Sequence, residues 1–323
     1  LATHVRKKAK SIKMKRRINM KKVIVSMLTL LLALVLPTQA KAASLETSVI
    51  PENTQWVLHF DVNTFASTQL SALLMQDDTS PFNKASRKIS EKFKIDFLKD
   101  IAWITIFGQG KDKDNAAFCC RGDFNRDYLL SLLDKEITHR KIQYGKYNIH
   151  TWGSQFGAFA NDHLILVSKN ENMIKNVLDV IDGKKKNLTA GKMMPYLKEI
   201  PEDAFFKVVV DDVSSIAGNH GKTVILKKTS MVFFMALEKN GNLKLKIKMT
   251  TDSADTAKNI EHIANGLIAL AKIQHIEEDS RLTLLNAVKI ALKGNIVQME
   301  LSVPSKELVD IIFHCKGKSH FKH

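Results

Sequence analysis

Two stretches of this chain carry one pattern of apolar and polar positions, 150 residues apart. Ile50-Pro51-Glu52-Asn53 leads into Trp56-Val57-Leu58-His59-Phe60-Asp61, and Ile200-Pro201-Glu202-Asp203 leads into Phe206-Lys207-Val208-Val209-Val210-Asp211. Alternation with a period of two predicts a strand in each, with one face on a core. The large apolar face is Trp56, Leu58 and Phe60 in the first and Phe206, Val208 and Val210 in the second. The mixed face is Val57, His59 and Asp61 against Lys207, Val209 and Asp211. Proline precedes both strands, outside the ladder it could not donate to.

Periodicity then predicts the remaining elements. Ser80-Pro81 opens a helix carrying Phe82, Ala85, Ile89 and Phe93, since serine caps and proline suits the first helical position. Strands follow over 101–107 and 116–121. Asn125 caps a helix with Tyr128, Leu129, Leu132 and Leu133 on one face. Short strands surround Ile142, Ile149, Phe156 and Leu164, and a helix with Met173, Ile174, Val177, Leu178 and Ile181 stops at Gly183. After the second Ile-Pro-Glu strand and a loop at 218–221, Asn240-Gly241 marks a hairpin. Its return strand places Leu243, Leu245, Ile247 and Met249 inside and Lys244, Lys246 and Lys248 outside. Ser253 opens a long helix, a second helical stretch covers 281–286, Gly294-Asn295 turns another hairpin, and Pro304-Ser305 begins a last helix. The predicted class is α+β: two tandem copies of an antiparallel sheet packed by helices on one face, residues 43–190 and 191–323. Residues 184–189 read as an exposed linker between them.

The N-terminus changes the charge picture. Met20-Lys21-Lys22, an apolar run over 23–36 and Ala40-Lys41-Ala42 are the parts of a secretory signal peptide, with cleavage expected after Ala42. The run is shorter than the roughly 20 residues a membrane span needs, and a retained anchor is the second reading. The residues before Met20 read as an extended basic region or as a start placed upstream of the true one. Residues 1–42 hold 11 of the 49 Lys and Arg and none of the 33 acids, so the remainder carries 38 − 33 = +5 rather than +16. The expectation of a nucleic-acid partner goes with the lost charge. The chain is expected in the periplasm or outside the cell.

Candidate chemistry is sparse. Asp61 and Asp211 end their strands where helical segments begin, so a capping role is expected of both. Asp123 to Asp134 imitates a calcium loop, but Tyr128 stands where the turn needs glycine. Gly108-Gln109-Gly110-Lys111 lacks phosphate-loop spacing. His314, Cys315, His320 and His323 are the densest set of potential metal ligands, weighed against a frayed basic tail. Lys244, Lys246 and Lys248 form a positive row that could meet an anionic surface, or simply guard a strand. Cys119-Cys120 and Cys315 are an odd number; buried free thiols and a bond from Cys315 to one of the pair both remain open.

Several turn and cap motifs fit one family. Phe97-Leu98-Lys99-Asp100-Ile101, Arg121-Gly122-Asp123-Phe124, Leu178-Asp179-Val180-Ile181-Asp182-Gly183, Pro195-Tyr196-Leu197 and Lys293-Gly294-Asn295 resemble a family of uncharacterised exported proteins of planctomycete-type bacteria. The resemblance implies no known activity, cofactor or catalytic residue. The expected function is therefore binding or scaffolding in the cell envelope, without a cofactor, with an envelope protein or an anionic surface as partner. His59, Asp61 and Asp211, together with the lysine row, are the candidate ligand contacts. The alternative is a hydrolase or metal-dependent enzyme whose site is assembled between the two copies.

Overall fold

The computed structural model describes residues 45–78, 80–213, 227–274 and 279–314. In chain order the elements are β1 (Trp56–Asp61), α1 (Val62–Ala66), α2 (Gln69–Gln76), α3 (Pro81–Phe93), β2 (Ile101–Gly108), β3 (Ala116–Gly122), α4 (Arg126–Leu133), β4 (Arg140–Tyr144), β5 (Tyr147–Trp152), β6 (Gln155–Asn161), β7 (Leu164–Ser168), α5 (Glu171–Ile181), α6 (Met194–Lys198), β8 (Phe206–Asp211), β9 (Thr229–Lys239), β10 (Asn242–Thr251), α7 (Ala254–Gln274), α8 (Asp279–Ala287), β11 (Val288–Lys293), β12 (Ile296–Pro304) and α9 (Ser305–His314). The class is α+β. The start signals hold in detail: Ser80 accepts from the Asn83 N–H, Asn125 from Tyr128, and Ser253 from Thr256. Helix α2, capped by Thr68, has no counterpart in the predicted pattern.

The twelve strands of the described residues form one open sheet, in the order β11-β12-β10-β9-β8-β1-β2-β3-β7-β6-β5-β4. Every neighbouring pair is antiparallel. Strands of residues 45–190 lie on one side of β1, and strands of residues 191–314 continue from β8. The two Ile-Pro-Glu strands are neighbours, and Leu58 stands opposite Val208, its equivalent at an offset of 150. From that pair outward the sheet reads β1-β2-β3-β7-β6 one way and β8-β9-β10-β12-β11 the other. The β4–β5 hairpin extends only the first side.

Both faces carry helices, where the sequence pattern suggested one. Helix α5 buries Met173, Ile174 and Val177 beside Val57, Trp103 and Cys119. Helices α1, α2, α3 and α9 bury Phe65, Leu70, Phe82 and Leu308 beside Phe60, Cys120 and Phe206. The mixed face of β1 proves the deeper one: Val57, His59 and Asp61 are all within 1% of complete burial, while Leu58 on the large apolar face is half-buried. The reason is the cover. The segments around 45–54 and 187–205 fold over the mixed face, with Leu188 N–H donating to the Ile50 carbonyl at 2.7 Å. The stretch read as an exposed linker is thus exposed at Lys184, Lys185 and Lys186 but fully buried at Leu188. Cys119 and Cys120, neighbours on β3, point to opposite faces and are free thiols. Burial pushes the Cys120 thiol up to about 12 and Cys119 further, so both stay protonated.

Candidate functional site

The sheet centre holds a polar cluster on the mixed face. His59 on β1 pairs in register with Lys207 on β8 and Thr105 on β2. The His59 Nδ1 and the Thr105 hydroxyl are 2.8 Å apart. Lys207 is 6% exposed and its ammonium donates to the Glu202 carbonyl at 3.3 Å. Burial lowers its pKa, and the nearby carboxylates of Asp61, Glu202 and Asp203 oppose that shift. Asp61 caps α1, accepting from the Thr64 N–H at 2.9 Å and the Thr64 hydroxyl at 2.5 Å. Next in the row, the guanidinium of Arg121 makes a forked pair with Glu46 at 2.8 and 2.9 Å and lies 5.6 Å from the Trp103 ring. Lys207, Arg121 and Glu46 escaped the sequence reading because a lone lysine in an alternating strand looks like a solvent-facing one.

The sequence-derived candidates are dispersed. His59 and Asp61 share a face and are fully buried. Asp211 lies at the opposite end of the antiparallel pair, where its N–H meets the Gln55 carbonyl, whereas the Asp61 N–H meets Phe205. Six residues of strand separate the two acids, about 20 Å. The lysine row sits on β10, three strands from β1, about 14 Å across the sheet. Lys246 pairs with Glu300 at 3.3 Å, Lys248 pairs with Glu199 and lies over the Phe233 ring, and Lys244 is exposed. His314 ends α9, and Cys315, His320 and His323 lie outside the described residues. Among the described residues, no group of three His, Cys, Asp or Glu is arranged to hold a metal.

The apolar face carries a feature that the pattern did not disclose. Val167, Phe118, Ile106 and Leu58 are direct cross-strand neighbours on β7, β3, β2 and β1. The same row continues through Val208, Phe234, Ile247, Met299 and Ile290 on β8, β9, β10, β12 and β11. All nine are only partly buried. At the usual strand spacing this apolar lane is close to 40 Å long. A single alternating strand cannot reveal it, because the lane exists only once the register is fixed.

No family model matches the chain, and no curated protein does. Solved structures of TP0453 are similar: crystal form I at 12% identity and a TM-score of 0.47, covering 84% of this chain and 98% of that one, and crystal form III at 12% and 0.46, covering 84% and 99%.

Away from the centre, the α4–β4 connection and β5 hold a histidine pair. His139 Nε2 and His150 Nδ1 are 3.0 Å apart with nearly coplanar rings, and His139 Nδ1 is 3.1 Å from Asp134. Burial lowers the pKa of His150, His139, Lys141 and Arg126 act in the same direction, and Asp134 opposes them. A polar cleft of about 280 Å³ lies at the β2–β3 end, lined by Asn63, Lys99, Asp100, Arg121, Asp123 and His163.

Proposed function

We propose that this is an exported protein of the cell envelope, built from two copies of one α+β unit, that works by binding rather than by catalysis. The observation that carries the reading is the apolar lane. It crosses both copies without interruption, passing through the Leu58–Val208 pair where they join. A long, half-buried apolar row suits an elongated apolar partner, such as acyl chains or an extended protein segment. The polar groups at the same junction, His59 and Asp61, are fully covered, which favours binding on the apolar face over hydrolysis on the mixed one. The signal-peptide pattern over 20–42, the matching Ile-Pro-Glu strands and the resemblance to exported proteins support the rest.

Native mass spectrometry of the protein purified from its envelope fraction tests this. The expected species starts at Ala43 and retains an apolar molecule or a partner subunit, which a Phe234→Ser variant retains less. Protein found in the cytosol with residues 1–42 attached overturns export. A bare species that takes up no fatty acid or detergent overturns the lane as a binding surface.

A further inference from the structure

Residues 134–139 connect α4 to β4. Only His139 among them is not exposed, and the one apolar residue, Ile137, is 94% exposed. Polar contacts therefore hold this segment on β5 and the turn after it. The Gly153 N–H donates to the Thr138 hydroxyl at 2.8 Å, and the His139 ring meets the buried His150 ring, with facing nitrogens 3.0 Å apart. The β4–β5 hairpin is fixed separately, from the other face. The Tyr144 hydroxyl donates to Asp179 on α5 at 2.9 Å, and the Tyr147 hydroxyl to Asp182 at 2.7 Å. Lys146 and Tyr147 hold the Asp182 carboxyl well below the usual carboxylate range, so this anchor survives mild acid.

The histidine contact has no such reserve. Two facing ring nitrogens share one proton. Asp134 lies 3.1 Å from His139 Nδ1, so a first added proton is accommodated: His139 then donates to Asp134 and to His150. A second, on His150 Nδ1, sets two N–H groups and two charges against each other across 3.0 Å. Burial, then His139 and Lys141, disfavour that charge, with Arg126 adding to them and Asp134 opposing. Lys141 stands opposite His150 on β4, and Arg126 on α4 is paired with Asp162. The segment also sits on the row of the apolar lane. Beyond Val167 that row continues in register through Gly157 on β6 and His150 on β5, both buried. A Cβ on Gly157 would lie 2.8 Å from the Trp152 ring, which roofs it. We propose that His139 and His150 form an acid-released latch: the pair pins residues 134–139 over β5, and acid lifts them and lengthens the lane by two strands, about 10 Å. The proposal rests on the binding reading only for what the release uncovers.

Hydrogen–deuterium exchange of the full chain, compared at matched chemical exchange, tests it between about pH 7.5 and about pH 5.5. Exchange in 134–139 should rise by up to tenfold per pH unit, since one proton drives the opening, while 171–181 on α5 keeps its protection. His150→Gln, which takes no charge, should abolish the pH dependence. Asp134→Asn, at an exposed position, should move the opening to higher pH. Exchange in 134–139 that ignores pH, protection lost in 134–139 and 171–181 together, or a His150→Gln variant that opens as the wild type does overturns the latch. Phenylnaphthylamine, a neutral apolar dye, reports the lane and should bind more tightly on opening. Opening with unchanged dye affinity overturns the link to the lane. Opening with no dye bound at either pH leaves the latch standing and removes the lane as a binding surface.

Discussion

At the scale of single residues, two buried bases set what the fold tolerates. His150 is 4% exposed, and its pKa lies below the usual imidazole value because burial disfavours the charged ring. The unfolded chain therefore takes up this proton first as pH falls. Stability should drop as pH descends through about 6.5, where a free histidine protonates. Thermal melts across that range should show the loss, and His150→Gln should flatten the profile. Lys207 is the second case. Its ammonium has lost water and gained one backbone carbonyl, with carboxylates only nearby. Replacing a buried charge by an apolar chain of like length is often neutral or favourable. Lys207→Met should thus leave the melting temperature unchanged or raise it, whereas Lys207→Ala should lower stability by about 2–3 kcal/mol through the cavity it leaves. A urea midpoint for each variant decides between these outcomes.

At the scale of elements, the local signals were legible and the pairings were not. Asn240-Gly241 is a two-residue hairpin turn with both residues at positive φ, 53° and 71°, as its sequence requires. The same glycine faces α2: a Cβ there would lie 2.4 Å from the Gln69 Oε1. Gly241→Val is therefore expected to destabilise by about 2 kcal/mol, from strain at positive φ and from displacement of Gln69, read as a lower urea midpoint at unchanged slope. Ser80-Pro81, Asn125 and Gly183 could be read from the chain because caps and stops depend on a few adjacent residues. The neighbouring placement of β1 and β8 could not, because 150 residues separate the partners and alternation names no partner. Nor did the pattern say which face would be deeper. Residues 45–54 and 187–205 decide that, and their contribution is tertiary. Of the candidate site, His59 and Asp61 could be assigned to one face from period two alone, but the apolar lane requires nine strands in register.

At the scale of the whole molecule, one continuous sheet makes the two halves depend on each other. Glu238 on β9 ties them further. Its carboxylate accepts from the Gln69 and Leu70 N–H groups of α2 at 2.6 and 2.7 Å and from the Ser305 hydroxyl of α9 at 2.5 Å. Trp56, Trp103 and Trp152 all belong to the first half. Their fluorescence therefore reports one side of the sheet and far-ultraviolet dichroism both. The two unfolding curves should coincide, and Glu238→Ala should shift them together by about 2 kcal/mol. Among the described residues the sheet is open, with β4 and β11 at its two margins. Arg140 and Lys141 line one margin, Lys289 and Lys293 the other, all exposed. Such cations hinder a foreign strand from adding to the ladder. Lys289→Thr with Lys293→Thr should turn a clear concentrated solution into one that scatters light and binds thioflavin, while the melting temperature hardly moves. Those side chains serve colloidal solubility: they decide whether the sheet stops with this molecule or grows into a fibril.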